Sequence, residues 1–159
     1  MYPTKNDLPE GTRRQMIELL NARLADAIDL QTQTKQAHWN VKGPQFIALH
    51  ELFDKVNQDV EDYIDLLAER AVQLGGAVEG TARSVAKRST LAEYPVKGAS
   101  SRQHVDALSS ALAAFGKVIR SSIDEGNRAN DQGTTDILIE ISRGVDKWLW
   151  MVEAHLQPE

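Results

Sequence analysis

The sequence predicts an all-α protein, a four-helix bundle in which one connection is a long crossover. Apolar residues recur every three or four positions in four long stretches, which is the periodicity of amphipathic helices. No stretch shows the sustained alternation of apolar and polar residues that a half-buried strand requires. Two connections between the predicted helices are short and one is long, and this arrangement is typical of helix bundles.

The first predicted helix begins after the Pro-Glu-Gly segment 9–11 and runs to about His38. Thr12 and Gln15 stand three residues apart, which is the spacing of a capping box at a helix N-terminus. The Val-Lys-Gly-Pro segment 41–44 should end the helix. Glycine allows backbone conformations that a helix does not use, and proline is suited only to a first helical turn.

The second predicted helix runs from about Gln45 to Leu74 and ends at the glycine pair 75–76. The residues that follow, up to Ala99, are mostly small or polar and form the long crossover. A connection of this length usually contains a short helix or has a function of its own. We expect one or two helical turns within segment 89–94.

The third predicted helix opens at a second capping box, formed by Ser100 and Gln103, and ends near Glu125 before the Gly-Asn pair 126–127. The fourth covers about 134–152. The long crossover divides the four helices into two pairs, and this connectivity fits a ferritin-like bundle better than an up-down-up-down bundle. We therefore expect a ferritin-like four-helix bundle whose crossover carries a short helix.

Length, charge and cysteine content limit the classes of protein that fit. The 159 residues suit one domain, 1–159, with a short N-terminal extension 1–10. The absence of cysteine excludes disulfides and thiolate metal sites. A net charge of −5 argues against binding nucleic acid through bulk charge. The chain has no apolar stretch of membrane-spanning length and no signal-peptide core, so we expect a cytoplasmic protein without a membrane partner.

Four side chains of metal-ligating type share one face of the second predicted helix. His50 and Asp54 form a first pair, and Asp65 and Glu69 form a second pair. At about 100° of rotation per residue all four fall within an arc of about 100°. Along the helix axis, however, Asp54 and Asp65 are about 16 Å apart. Because imidazole nitrogen and carboxylate oxygen bind metal at about 2.0–2.2 Å, one helix cannot bring both pairs to one metal ion.

Two-fold symmetry would bring the two pairs together. If the helix packs antiparallel on a second copy, with the axis between Val60 and Glu61, the first pair of one copy meets the second pair of the other, and two equivalent sites result. His38, at the end of the preceding helix, would complete the histidine half. Two imidazoles and three carboxylates suit Fe(II). Taken singly, each of these residues is more often a solvated side chain or a cap, and their shared arc is what favours a metal site.

The same residues carry a resemblance to a known family. The run from Thr34 to Asp54, TKQAHWNVKGPQFIALHELFD, resembles the signature of the Dps family, the twelve-subunit mini-ferritins. The similarity continues through DLLAERAVQLGG at 65–76 and DKWLWMVEAHL at 146–156. It extends over nearly the whole chain, from about Lys5 to Leu156.

The resemblance implies a ferroxidase centre shared between subunits. Members of the family oxidise Fe(II), preferably with hydrogen peroxide and otherwise with dioxygen, and they store the ferric product inside a hollow shell. Consuming Fe(II) and peroxide together protects against oxidative damage. Trp39 would be either a nearby electron donor or a packing residue of the dimer contact. The implied iron ligands are His38, His50 and Asp54 from one subunit and Asp65 and Glu69 from its two-fold mate.

The sequence also argues against an iron site inside one bundle. Such sites use Glu-x-x-His pairs, and no glutamate here precedes a histidine by three positions. In the family, acidic residues near the start of the last helix line pores through which iron enters. Asp131 and Asp136 stand at these positions, although either residue could instead cap the helix. His104 and His155 have no acidic partner at ligand spacing, so we interpret both as structural.

DNA binding is the alternative function. Many members of the family compact DNA through a lysine- and arginine-rich tail, whereas residues 1–10 contain one lysine and two acidic residues. Twelve copies of this chain would carry a charge of about −60, which DNA phosphate repels. The basic pair 13–14 and the basic side chains of 83–88 are local patches, so DNA or nucleoid binding is not favoured. A helical scaffold without metal is the third alternative.

Overall fold

The computed structural model describes residues 1–95 and 100–158, and within these ranges it contains five α-helices and no β-strand. The helices are α1 (Glu10–Asn40), α2 (Phe46–Gln73), α3 (Ala82–Arg88), α4 (Ser101–Arg128) and α5 (Gln132–Glu153). Helices α1 and α2 pack along each other, α4 and α5 form the second pair, and contacts of α1 with α4 and of α2 with α5 join the pairs. The predicted all-α bundle with one long crossover is confirmed.

Each long helix contributes an apolar stripe to one core. On α2 the buried stripe includes Leu49, Phe53, Val56, Val60 and Leu67. Burying a side chain of this size contributes about 1.5–3 kcal/mol relative to leaving it exposed. The His50–Glu69 face of α2 points away from this stripe, so the core fixes the helix without covering the candidate ligands. Within the described ranges, no helix combines the length and apolarity needed to span a bilayer.

The crossover corrects one prediction. Its short helix is α3, and the expected helical turns at 89–94 are wrong. The buried carboxylate of Asp26 accepts hydrogen bonds from the Thr90 amide at 2.7 Å and the Thr90 hydroxyl at 2.9 Å. The Gln33 side chain donates to the Ala92 carbonyl at 3.0 Å. Because buried polar groups must find partners, these long-range bonds hold the segment out of a helix. Residues 96–99 of the crossover lie outside the described residues.

The helix N-termini confirm one capping box and correct the other. The Ser100 hydroxyl accepts from the Gln103 amide, and the Gln103 side chain accepts from the Ser100 amide, as predicted. The box expected at 12–15 is wrong, because α1 already begins at Glu10. Pro9 precedes that helix in an extended conformation and makes no side-chain cap. A proline at this position fixes the backbone angle that leads into the helix.

The end of α4 corrects the expected stop at 126–127. The helix continues through Gly126 to Arg128. A Cβ atom at Gly126 would lie 2.6 Å from the Thr135 hydroxyl oxygen, so this glycine serves the close approach of α4 and α5. The chain reverses at Asn130, whose φ of 55° lies in the left-handed region that asparagine tolerates better than most residues.

Candidate metal centre

His38 and His50 lie together where α1 passes into α2. His38 is in the last turn of α1, His50 is near the start of α2, and Gly43 turns the chain between them with a φ of 95°. This backbone angle suits glycine, which has no Cβ to clash. The two imidazole rings stack with their centroids 3.7 Å apart and their planes 24° from parallel. The short connection therefore brings together two residues that are twelve positions apart.

Each imidazole is oriented by the backbone of the other residue. His38 Nδ1 lies 2.9 Å from the His50 carbonyl oxygen, and His50 Nδ1 lies 2.9 Å from the His38 carbonyl oxygen. A carbonyl oxygen only accepts hydrogen bonds, so both Nδ1 atoms carry a proton, and in the neutral rings both Nε2 atoms keep a lone pair. Hydrogen bonds of this kind fix the tautomer and the orientation of metal-binding histidines.

Asp54 lies one helical turn after His50 and joins the histidine pair. Its Oδ1 atom is 4.0 Å from His38 Nδ1 and accepts a hydrogen bond from Lys35 Nζ at 2.8 Å. The hydrogen bond from Lys35 lowers the pKa of Asp54 below its usual value, against the opposing effect of partial burial. The carboxylate is therefore ionised at neutral pH, which is the form that binds a metal ion.

Lys35 is a member of this cluster that the sequence analysis missed. It precedes His38 by three residues on α1, and residues three apart lie on the same side of a helix. That spacing was the signal that could have identified it. Its Nζ atom also lies 5.9 Å from the ring centroid of Trp39, within cation–π range. Trp39 itself is 67% exposed in the single chain.

Asp65 and Glu69 lie near the far end of α2 and are both exposed. Among residues 1–95 and 100–158, no ion pair involves either carboxylate. The same ranges contain no group of three or more His, Asp or Glu side chains arranged to hold a metal ion within one chain. One chain thus brings together His38, His50 and Asp54 but leaves the other two predicted ligands apart from them.

Asp131 takes the capping role that the sequence analysis left open. It is 1% exposed, and its carboxylate accepts from the Thr134 amide at 3.0 Å and from Arg70 Nη2 at 2.7 Å. Burial alone would raise the pKa of Asp131, but the hydrogen bonds from Thr134 and the charge of Arg70 together hold it below its usual value. Lining a pore requires an accessible carboxylate, and of the two predicted pore residues Asp136 is the exposed one.

The other two histidines lie outside this cluster. His155 Nδ1 lies 3.1 Å from the Met151 carbonyl oxygen in the last turn of the chain. His104 is buried and pairs with the hydroxyl of Tyr94 at 2.7 Å. No pattern in the sequence indicates the contact with Tyr94, because the two side chains come from the crossover and from α4.

Comparison with known proteins agrees with this fold. The family model described as a ferritin-like domain matches residues 17–158. The chain is 44% identical over 156 residues to the DNA protection during starvation protein of Agrobacterium fabrum, and the match covers 98% of this chain and 96% of that protein.

Solved structures give the same result. Dps of Mycobacterium smegmatis in its tetragonal form superposes with a TM-score of 0.93 at 31% identity, covering 98% of this chain and 95% of that one. Dps of Microbacterium arborescens in its high iron form superposes with a TM-score of 0.86 at 33% identity, covering 96% of this chain and 97% of that one. The family match, the curated relative and the solved structures agree, and the chain belongs to the Dps family of ferritin-like proteins.

Proposed function

We propose that this protein oxidises Fe(II) at a centre shared by two subunits and stores the ferric product. The observation that supports this most is the reciprocal bonding of His38 and His50, which leaves both Nε2 lone pairs free in a cluster that also contains the ionised carboxylate of Asp54. A purely structural imidazole is not expected to be oriented in this way next to a second imidazole and a carboxylate. The arrangement has the donor set and the protonation state of half a metal site.

We propose that a second copy of the chain supplies the other half. His50 and Glu69, like Asp54 and Asp65, are equidistant from a midpoint between residues 59 and 60, which is one position before the axis that the sequence analysis placed at 60–61. Two copies of α2 that pack antiparallel about this midpoint would bring the histidine half of one copy to the free carboxylates of the other. A two-fold contact would create two such centres.

In this proposal iron is the substrate, and the side chains hold and orient it. Hydrogen peroxide takes up two electrons and two protons to form two water molecules, and two Fe(II) ions supply one electron each. Neutral imidazoles and negative carboxylates favour the binding of iron and the oxidation of Fe(II) to Fe(III). Asp54 binds iron either through its Oδ2 atom or after Lys35 withdraws from Oδ1. Trp39 is suitably placed beside His38 to donate an electron to a stray radical, and packing in the dimer contact is its competing role.

We propose that such dimers assemble into a shell of twelve subunits, which provides the space for a ferric mineral. Several large apolar side chains are exposed on the single chain, among them Trp39, Ile47 and Trp150. Exposed groups of this kind mark contacts between proteins when they lie in patches. Sedimentation velocity tests the assembly. A shell of twelve sediments as one large species, whereas a monomer or an isolated dimer would contradict it.

The iron hypothesis is tested by anaerobic Fe(II) titration followed by peroxide, on the wild type and two histidine variants. His50→Ala removes a proposed ligand and should lower the initial oxidation rate about tenfold or more, because even the loss of a group that only orients a metal ligand has an effect of that size. His155→Ala is the matched control, because the His155 ring contacts the Met151 carbonyl of its own helix end and is not a proposed ligand, and its rate should equal the wild type. Unchanged oxidation in His50→Ala would contradict the site and would favour a scaffold without metal.

DNA binding is not the function that the structure favours. Several basic side chains already have acidic partners, with Arg88 paired to Glu18 and Glu79 and Arg14 paired to Glu10. These pairs lower the positive charge available to phosphate on a chain whose net charge is −5. We expect no retardation of plasmid DNA in a gel shift even at low salt. Retardation that fades as salt increases would establish DNA binding as a second activity.

A further inference from the structure

Tyr94 and His104 form a buried pair apart from the histidine cluster. Tyr94 lies on the crossover and His104 on α4, and they are 8% and 3% exposed. The Tyr94 hydroxyl oxygen lies 2.7 Å from His104 Nδ1, and the ring planes are 16° from parallel with centroids 6.0 Å apart. The proposed iron chemistry gives this pair no role.

The protonation states of the pair follow from its surroundings. Burial raises the pKa of Tyr94 to about 12. Burial, with a smaller effect of the Lys42 charge, lowers the pKa of His104 below its usual value. At neutral pH the phenol therefore keeps its proton, and the neutral imidazole accepts the hydrogen bond at Nδ1. A phenol that donates to a neutral imidazole at this distance has a direct route for its proton.

We propose that Tyr94 and His104 form a proton-coupled redox site that takes up oxidising equivalents escaping from the iron chemistry. Loss of one electron makes the phenol strongly acidic, so its proton moves to His104 Nδ1 and leaves a neutral tyrosyl radical beside an imidazolium. The oxidant is a hydroxyl radical, which accepts the electron and becomes hydroxide. Fe(II) later returns one electron to Tyr94 and becomes Fe(III), while the proton returns from His104. The source of the oxidant rests on the function proposed above.

One cavity connects Tyr94 with the surroundings of the histidine cluster. This cavity, of about 1050 Å³, is lined by both Lys35 and Trp39 and also by Tyr94. Lys35 bonds Asp54, and Trp39 adjoins His38, so the cavity borders the proposed iron ligands. The hydrogen bond from Gln33 to the Ala92 carbonyl holds the backbone near Tyr94 in place. Trp39 and Tyr94 thus line the same open cavity, which an oxidant formed at the iron centre can enter.

Tyr63 provides a matched comparison inside the same chain. It is also buried, and burial together with nearby acidic residues raises its pKa to about 12. Its hydroxyl interacts with the indole N–H of Trp148, which is a donor and cannot take up a proton. The nearby carboxylate of Asp59 already accepts from that indole at 2.7 Å. Tyr63 therefore resembles Tyr94 in burial but lacks a hydrogen-bonded base.

The first test uses no iron, so it is independent of the proposed ferroxidase function. The assembled protein is photo-oxidised with a ruthenium flash-quench reagent, and the radicals are recorded by electron paramagnetic resonance. Because the exposed Tyr2 is also open to photo-oxidation, every variant carries Tyr2→Phe. We expect a tyrosyl signal in this background and after addition of Tyr63→Phe, and its loss after addition of Tyr94→Phe. In His104→Gln the amide can still accept the phenol hydrogen bond but is too weak a base to take the proton. The radical yield should therefore fall about tenfold or more in this variant.

Thermal melting shows whether His104→Gln remains folded, and the radical yield then separates this role from a structural one. A merely structural pair predicts that His104→Gln retains both stability and radical yield, and an unchanged yield would overturn the proposal. A full signal in Tyr94→Phe would overturn it as well.

The second test adds Fe(II) and peroxide and samples the reaction by rapid freezing. We expect a tyrosyl signal that depends on Tyr94 and decays as more Fe(II) is added. Iron oxidation without such a signal would overturn the link between the pair and the iron chemistry. If iron is not oxidised at all, the proposed function fails and the link fails with it, while the iron-free experiment still decides whether the pair is redox-active.

Discussion

The two ends of α2 carry different kinds of proposed ligand, imidazole with carboxylate at the first end and carboxylates alone at the second, and they differ in how the rest of the chain contacts them. At the first end, backbone carbonyls orient the His50 ring and its partner imidazole, and Lys35 binds Asp54. At the second end, Asp65 and Glu69 are exposed, and no ion pair within the described ranges involves them. An imidazole must be oriented before it can bind metal selectively, whereas an exposed carboxylate stays hydrated at little cost. The chain therefore preassembles the histidine half and leaves the acidic half available.

The largest predicted effect is a loss of Fe(II) oxidation, and it should be equally large for a ligand removed at either end of α2. Asp54→Asn and Glu69→Gln should each lower peroxide-driven Fe(II) oxidation about tenfold or more, because each removes a charged ligand from the shared centre. Their effects on stability should differ. Asp54→Asn also loses the pairing with Lys35, which is worth less than about 1 kcal/mol at this partly exposed site. Stopped-flow oxidation and thermal melts test both statements, and a normal rate in Glu69→Gln would remove the second end from the centre.

The sequence predicted the features of the fold that depend on local pattern. The apolar stripe of α2 identified a helix of nearly the observed length, and the capping box at Ser100 identified the start of α4. The prediction failed where contacts with residues distant in sequence override the local preference for a helix or a helix end. The Thr90 amide donates to Asp26, which is 64 positions away, and this bond holds the segment out of a helix. The local helical preference of segment 89–94 was therefore a poor guide to its structure. Gly126 allows α4 and α5 to pack closely, although the Gly-Asn pair at 126–127 suggests the end of a helix.

The candidate site could be predicted in part for the same reason. Positions on one helix follow from its period, so the shared face of His50 and Glu69 was predictable. The partners that orient these side chains come from other elements. The carbonyl of His38 and the ammonium group of Lys35 reach the site only through the packing of α1 on α2. No spacing rule for a single helix gives such contacts.

The second end of α2 depends on an anchor that can be removed without touching a proposed ligand. Arg70 follows Glu69 and pairs with the buried Asp131 at the start of α5. Asp131→Asn breaks this pair and should lower the free energy of unfolding by about 3 kcal/mol. Fe(II) oxidation should fall less than in Glu69→Gln. Urea unfolding and stopped-flow oxidation give the two quantities, and an unchanged stability would show that the anchor is unimportant.

The same pair predicts a pH dependence. The pKa of Asp131 is lowered in the folded state, so the unfolded state binds more protons when the pH falls below about 3.9. The stabilising contribution is therefore fully present above that pH and is lost as the pH falls through the folded-state pKa. The difference in stability between the wild type and Asp131→Asn should shrink over that acidic range.

The smallest predicted effect concerns the lysine at the first end. Lys35→Met removes the ammonium group that occupies Oδ1 of Asp54, so Fe(II) should bind about two- to fivefold more tightly, as expected for the loss of a partly exposed ion pair. Anaerobic titration with Fe(II) measures this change. Weaker binding in Lys35→Met would show instead that the lysine holds Asp54 in the orientation that iron requires.

The central claim is that each centre takes its histidines from one subunit and its free carboxylates from another, and mixed dimers test it directly. His50→Ala and Glu69→Gln, each expected to be about tenfold or more slower alone, are unfolded together and reassembled. In a mixed dimer one centre carries both changes and the other carries neither, so random pairing restores about a quarter of the wild-type centres. Recovery of about this fraction of the oxidation rate is the predicted result. If the mixture remains as inactive as the separate variants, the centre is not shared between subunits and the proposal is wrong.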